Sequence, residues 1–268
     1  MATVSEADAG EPPLASSRPG ARGRSRGVFW LAIACAAIAV LGFMPTYWLQ
    51  LPAGTFVGPP LLHIHGALNT AWVLFLVCQA WLASRGKIRN HRDWGLAGVA
   101  LASAVVVVGY VTAIVSLQER LAHGEGEAAR AFLSTPFVGM TLFAIFTAGA
   151  IACTHRPEWH KRLMIAGTVS LIDAAAARIA FLMVVGHGPG LRPGLAPLPP
   201  EAMPTIVGLL LQGVIVAGMV NDRRLRGSVH PAWIVALCVS VPTLLLRAPL
   251  SHTAAWQAFA DWTTHIAG

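Results

Sequence analysis

The chain has 268 residues, of which 55% are hydrophobic and only 12% are charged. A soluble domain usually carries about 25% charged residues, so this composition excludes an ordinary soluble protein. The formal net charge of +7 is compatible with binding nucleic acid. We exclude that partner, because the basic residues stand in short gaps beside long apolar stretches, where membrane proteins carry their topology signals.

The first segment, residues 1–27, is rich in Ala, Gly, Ser, Pro and Arg and lacks an apolar period. This composition predicts a disordered, basic cytoplasmic tail. Seven apolar stretches follow, each near the length of about 20 residues that a helix needs to cross a bilayer. Lipid offers no hydrogen-bond partners to the backbone, so these stretches should be helices. We place them at 28–50, 61–84, 93–117, 133–154, 161–186, 204–222 and 231–249.

The sequence therefore predicts an all-α fold, a polytopic membrane helix bundle of about seven transmembrane helices. The transmembrane domain spans 28–249, and 250–268 forms a short extracytoplasmic tail. Of the outer loops, 118–132 is expected to form a short surface helix, and the Pro- and Gly-rich 187–203 an irregular loop.

The basic residues in the gaps alternate sharply between the two sides of this bundle. Fourteen lie on the side of the N-terminus and three on the other side. The positive-inside rule then places the N-terminus in the cytoplasm and the C-terminus outside, in a bacterial cytoplasmic (inner) membrane. All four cysteines fall within apolar spans, so we expect small core-like residues and no disulfide partner.

Three histidines stand where a span begins on the cytoplasmic side: His91, His160 and His230. Because these three spans run in the same direction, their imidazoles should lie at one level of the bundle. Neutral imidazole is the commonest protein ligand of transition metals and haem iron. The sequence favours His91 and His160 as a metal-ligand pair, while Pro231 explains His230 as part of a helix start. The alternative for each is a structural histidine at the membrane interface.

The second span carries a polar stripe. His65, Asn69, Trp72 and Gln79 fall on one helical face, within roughly 40° of one another at about 100° per residue. Polar side chains in hydrocarbon are costly, so this stripe should face the bundle interior, where Asn69 and Gln79 are expected to be buried polar residues. The alternative to a ligand site is hydrogen bonding between helices.

Three further charges lie inside spans. Asp173 is near the middle of the fifth span and is expected to pair with another helix. Arg178 follows His160 by five helical turns, which places both on one face of a regular helix. Together with Arg247 and His65, it would form an outer cofactor pocket that attracts an anionic group such as a haem propionate or a lipid phosphate. Snorkelling to the interface is the alternative for Arg247.

Four segments resemble motifs of a broad set of uncharacterised bacterial multi-pass membrane proteins. They read HIHGALNTAW (63–72), HRDWG (91–95), EWHKRLM (158–164) and NDRRLRGSVHP (221–231). The set shows a His-Arg-x-x-Gly start to one helix and a His-(Arg/Lys)-x-x-Met start to a later one. A looser similarity is to transmembrane b-type cytochromes. It implies haem b with His91 and His160 as inner axial ligands and His65 as a ligand on the outer side.

The favoured hypothesis is thus a haem- or metal-binding protein of membrane redox or respiratory function. Its metal ligands would be His65, His91 and His160, and its partner a quinone or a respiratory complex. One alternative is a non-catalytic assembly or binding protein that uses the same histidines. Another is a zinc-dependent membrane hydrolase built on His65, Asp173 and an outer histidine, and a transporter with Asp173 as proton relay is a third.

Overall fold

The computed structural model describes residues 19–185 and 198–266, and within them the chain is helical with no strand. Ten α-helices follow one another: α1 Pro19–Phe43, α2 Pro60–Ser84, α3 Ile88–Asp93, α4 Gly95–Ala122, α5 Gly126–Ala152, α6 Pro157–Leu171, α7 Asp173–Val185, α8 Ala202–Arg226, α9 Pro231–Ser251 and α10 Ala254–Ile266. A π-helical segment, Met44–Trp48, continues α1. The predicted all-α polytopic bundle is confirmed.

Six helices of the described part are long and apolar enough to cross a membrane: α1 with its π-helical end, α2, α3–α4, α5, α8 and α9. Together, α6 and α7 are also long and apolar enough to form a seventh span, and they meet at a bend of 42°. The protein is therefore a multi-pass membrane protein with up to seven spans in the described residues. The start of α1 is helical from Pro19, so the predicted tail of 1–27 is helical over 19–27, and 1–18 lie outside the described residues.

The fifth span is broken, where the sequence indicated one regular helix over 161–186. Two hydroxyls precede the break: Thr168 Oγ1 donates to the Met164 carbonyl at 3.0 Å, and Ser170 Oγ donates to the Ala166 carbonyl at 3.2 Å. Such bonds to the preceding turn bend helices. Asp173 then begins the new helix, where a carboxylate is favourable beside the positive end of the helix dipole.

The predicted surface helix at 118–132 is wrong. Instead, α4 continues to Ala122, α5 begins at Gly126, and only a tight turn separates them. Gly124 and Gly126 make this turn with φ values of 83° and 53°, a conformation that glycine adopts without steric cost. The predicted irregular loop at 187–203 falls mostly outside the described residues.

The core is centred on α6, whose residues from Arg162 to Leu171 include nine buried side chains or glycine positions. Trp72 of α2 packs edge-on against Phe143 of α5 at 5.0 Å, and its Nε1 donates to Thr168 Oγ1 at 3.1 Å. Small residues allow the closest approaches: a Cβ added to Gly42 of α1 would lie 2.2 Å from the Ala175 carbonyl oxygen. Such small-residue contacts are typical of helix packing in membranes.

The bundle has two distinct ends. The "basic face" is the end that carries the turns between α2 and α3, α5 and α6, and α8 and α9, together with Gly27 of α1, which lies against Asn221 of α8. The "opposite face" carries the α1–α2 and α4–α5 connections and α10. The alternating helix directions require this arrangement, and the side-chain contacts below agree with it.

At the opposite face, α10 covers the ends of α4 and α5, where the sequence predicted only a short tail. Arg130 Nε lies 2.5 Å from Asp261 Oδ1, and Trp256 Nε1 donates to the Arg130 carbonyl at 2.8 Å. Ala260 and neighbouring residues of α4 and α5 form a small hydrophobic cluster. Residues 250–266 are therefore an ordered, packed part of the described structure.

His252 ties three segments together at the same face. Its Nε2 lies 2.9 Å from Glu201 Oε1 and its Nδ1 lies 3.4 Å from Glu127 Oε1. These hydrogen bonds, to Glu127 and then to Glu201, raise the pKa of His252. The folded protein therefore holds the proton of His252 more tightly than a free imidazole does.

Candidate functional site

The structure brings His91 and His160 together at the basic face. The short helix α3 carries His91 back towards the bundle, and Pro157 starts α6 so that His160 lies in its first turn. The two half-buried imidazole rings have centres 6.1 Å apart and planes inclined by 82°. The two residues are 69 positions apart in sequence, so this contact is a product of the fold.

The hydrogen bonds of this pair leave ring nitrogens available. His160 Nδ1 lies 2.8 Å from the Ala150 carbonyl oxygen, which can only accept, so Nδ1 carries the proton and Nε2 of the neutral ring has a free lone pair. The buried Nδ1 of His91 has no hydrogen-bond partner among the described residues. The Gln79 Oε1 is also buried without a partner there.

The spacing of the rings can be compared with that of two imidazoles on one metal ion. Metal–nitrogen bonds are about 2 Å long and an imidazole nitrogen lies roughly 1 Å from its ring centre, so ligands on opposite sides of one metal have ring centres about 6 Å apart. At a tetrahedral angle the same bonds give about 5 Å. The separation of 6.1 Å is close to the value for ligands on opposite sides of one metal, and it also lies within the range of about 4.5–7 Å for direct edge-to-face ring contacts.

No third ligand accompanies the pair. Among the described residues, no group of three or more His, Cys, Asp or Glu side chains is placed to hold a metal ion. A donor set of two imidazoles suits haem iron, because the porphyrin supplies the other ligands. A structural or catalytic zinc site needs at least three protein ligands.

The remaining histidines of the basic face have other surroundings. His230 Nδ1 accepts a hydrogen bond from the Ala232 N–H at 3.1 Å and so caps α9, and its ring packs edge-on against Trp159 at 5.5 Å. Burial, and then the nearby charge of Arg162, lowers the pKa of His230. His155 lies exposed in the turn between α5 and α6. Neither joins the pair.

A buried ion-pair network, which the sequence reasoning missed, lies beside the pair. Arg162 donates from Nε at 2.8 Å and from Nη2 at 2.5 Å to the two oxygens of Asp222. Its Nη1 donates to Glu158 Oε2 at 2.7 Å, and Glu158 also accepts from Arg226 and from Lys161. Arg162 is buried, and the network fixes the start of α6 against α8 and, through Trp233 Nε1 on Asp222, against α9.

The polar stripe of α2 faces the interior, as its spacing predicts. Trp72 and Gln79 are buried, and His65 and Asn69 are half-buried. Asn69 Nδ2 donates to the His65 carbonyl at 2.8 Å. His63, on another side of the helix, is exposed and bonds to the Tyr47 hydroxyl at 3.0 Å.

A cavity of about 360 Å³ opens between α1, α2, α4, α5 and α7 in the half of the bundle near the opposite face; we call it the outer cavity. Pockets that bind small molecules usually have about 300–1,000 Å³. The charged and polar residues of its wall include His65 and Asn69 of α2, Glu119 and Arg120 of α4, and Asp173 and Arg178 of α7, and much of the remainder is apolar. His65 and Arg178 therefore line the same cavity, as the sequence predicted.

Two details of the predicted outer pocket are wrong. Arg247 does not lie on the wall of this cavity; its Nη1 lies 3.5 Å from Asp173 Oδ2, and this partner on α9 agrees with the expectation that Asp173 pairs with another helix. The prediction that His160 and Arg178 lie on one face of a regular helix is also wrong, because the helix is interrupted between them by the 42° bend from α6 to α7.

The structure therefore separates the predicted site residues into two places: His91 and His160 at the basic face, and His65 at the outer cavity. The two acids of the ion-pair network at the basic face, the partly exposed Glu158 and the buried Asp222, carry one signal in the sequence, a carboxylate beside a basic cluster at a span end. Comparison with protein-family models, curated proteins and solved structures finds no match for this chain.

Proposed function

We propose that this protein is a membrane redox protein in which His91 and His160 hold one b-type haem as axial ligands. The observation that carries the proposal is the ring separation of 6.1 Å, the value that two imidazoles adopt on opposite sides of one metal ion. Bound haem iron would supply one-electron chemistry, since it takes up and releases single electrons.

The surroundings of the pair support this assignment. The Ala150 carbonyl fixes the tautomer and the orientation of His160, as carbonyls behind metal-bound histidines usually do. The buried Nδ1 of His91 has no partner among the described residues, and an unpaired buried nitrogen is costly unless something binds it. The buried network around Arg162 holds α6, and with it His160, in a fixed position.

The proposed setting is the cytoplasmic membrane of a bacterium, with the basic face on the cytoplasmic side. The excess of basic residues at that face supports this orientation through the positive-inside rule. Electrons would be exchanged with a lipid-soluble quinol or with a respiratory complex in the same membrane. The His91–His160 pair lies near the cytoplasmic surface in this orientation, within reach of either partner.

The test is an absorbance difference spectrum of the purified protein, reduced minus oxidised. We expect a haem b α-band that His91→Ala and His160→Ala abolish, because each variant removes one axial ligand. The matched control is His155→Ala, which removes an exposed histidine of the same face and should leave the band unchanged.

Two results would overturn the proposal: a folded, colourless wild-type protein from haem-supplied cells, or a band that survives in both ligand variants. A band that disappears only in His65→Ala would move the haem to the outer cavity. Co-purification with a respiratory complex, without haem, would favour the non-catalytic assembly role that the same histidines allow.

A further inference from the structure

The outer cavity presents a cation with no carboxylate partner. Arg178 is half-buried on its wall, its Nη1 donates to the Ala174 carbonyl at 3.1 Å, and its guanidinium carbon lies 4.4 Å from the centre of the Phe43 ring. Within the part of the chain that the structure describes, no ion pair includes Arg178.

The other arginines inside the bundle contrast with it. Arg162 is paired with Asp222 at 2.5 Å, Arg120 with Glu125 at 2.7 Å, and Arg247 with Asp173 at 3.5 Å. Charged side chains at membrane depth normally pair with one another or serve a function. An intramembrane guanidinium on a cavity wall, without a carboxylate partner among the described residues, therefore points to an anion that enters the cavity.

Two acids also line the cavity, and neither is placed to neutralise Arg178. Asp173 Oδ2 pairs with Arg247 Nη1 at 3.5 Å, and Asp173 Oδ1 is buried without a hydrogen-bond partner among the described residues; neither oxygen pairs with Arg178. Glu119 forms no ion pair with Arg178 in the described part of the chain.

The remainder of the cavity suits a hydrocarbon chain. Its wall follows α2 from His65 to Val73, a length of about 12 Å at 1.5 Å per residue. The wall also includes the apolar side chains of Val73, Leu133 and Met140, although Ser170 and Asp173 are polar members of the same wall. His65 and Asn69 lie on the same wall as Arg178, where their side chains can hydrogen-bond to a headgroup.

From these contacts we propose that the outer cavity binds an amphipathic molecule with an anionic headgroup, a carboxylate or a phosphate monoester, and that Arg178 is its charge partner. The apolar chain lies between α2, α4 and α5. This site is separate from the proposed haem site, because neither His91 nor His160 lines the outer cavity.

The test uses the purified full chain in nanodiscs of zwitterionic phosphatidylcholine and the fluorescent fatty acid cis-parinaric acid as probe. Trp48 lies on the cavity wall and can transfer excitation energy to a bound probe. We expect saturable binding of the acid and much weaker binding of its methyl ester. Competition by a dodecanoate or by a dodecyl phosphate then shows which anion the site prefers.

The Arg178→Gln variant should weaken acid binding about ten- to a hundred-fold, the value of a charge-assisted hydrogen bond, and leave the weak ester binding unchanged. Arg178→Lys should recover part of the affinity. The matched control is Arg130→Gln, which removes an arginine of the same face that pairs with Asp261 and does not line the cavity. It should bind the acid like the wild type.

The proposal is overturned if the unaltered chain binds the ester as tightly as the acid, a comparison that does not require any variant to fold. It is also overturned if folded Arg178→Gln keeps the affinity of the wild type, or if Arg130→Gln loses as much. Competition by a neutral short-chain quinone that is stronger than competition by dodecanoate would assign the cavity to a quinone instead.

Discussion

Replacing Asp222 by Asn should destabilise the protein more than any other single charge removal at the basic face. The carboxylate accepts two hydrogen bonds from Arg162 and one from Trp233 Nε1 at 3.1 Å. The side chains of Arg162 and Asp222 are only 2% and 7% exposed. Removing one partner of such a pair leaves a buried charge, at a cost of about 3–5 kcal/mol.

The contacts that remain place this variant at the lower end of that range. Glu158 still accepts from Arg162 Nη1 at 2.7 Å, so the guanidinium keeps one carboxylate partner. A loss of about 3 kcal/mol corresponds to a decrease in Tm of about 6–12 °C for a chain of this size. The matched control is Asp93→Asn, which removes one partner of the pair Arg89–Asp93, where both side chains are mostly exposed; its expected cost is about 0–1 kcal/mol.

The assay is thermal unfolding of detergent-solubilised protein, followed by tryptophan fluorescence. A double variant, Arg162→Met with Asp222→Leu, should recover more than half of the loss, because removing both charges leaves neither one buried alone. The reasoning is refuted if Asp222→Asn shifts the Tm no more than Asp93→Asn does, or if the double variant is less stable than the single one.

Three further changes test the packing and the electrostatics. Gly42→Ala should force α1 away from the Ala175 carbonyl and lower the Tm, whereas Gly213→Ala, where an added Cβ meets nothing within 4 Å, should not. The pKa of His252 is raised in the folded state, so the interactions of its protonated ring stabilise the fold fully below the unfolded-state pKa. This stabilisation is lost as the pH rises through the folded-state pKa. The Tm difference between wild type and His252→Ala should therefore be larger at about pH 6 than at about pH 8.5. Thr168→Val should cost about 1–3 kcal/mol in thermal unfolding, because it leaves a buried indole N–H of α2 without an acceptor, and an unchanged Tm would argue against that bond.

The sequence predicts the spans well, because about 20 consecutive apolar residues have few other structures open to them in a bilayer. It also predicts the meeting of His91 and His160, since helices that run in one direction bring their first turns to one level. That prediction needed no knowledge of side-chain packing. The structure adds the separation of the two rings, 6.1 Å, and the hydrogen bond that leaves Nε2 of His160 free.

The features that the sequence did not reveal depend on contacts between distant side chains. Arg162 looks like a loop charge until Asp222, 60 residues later, accepts its hydrogen bonds. The break at Ile172 depends on hydroxyl bonds to the preceding turn, which hydropathy does not register. The outer cavity is a gap in the packing between five helices. The periodicity of a single helix does not predict such a gap.

The most direct test of the haem assignment is the amount of haem b per chain, measured as the pyridine haemochrome of wild-type protein purified from haem-supplied cells. Two axial imidazoles and one iron predict a ratio of about one haem per polypeptide. A well-folded preparation that contains no haem, with His91 and His160 free to react with a histidine-modifying reagent, would contradict the account.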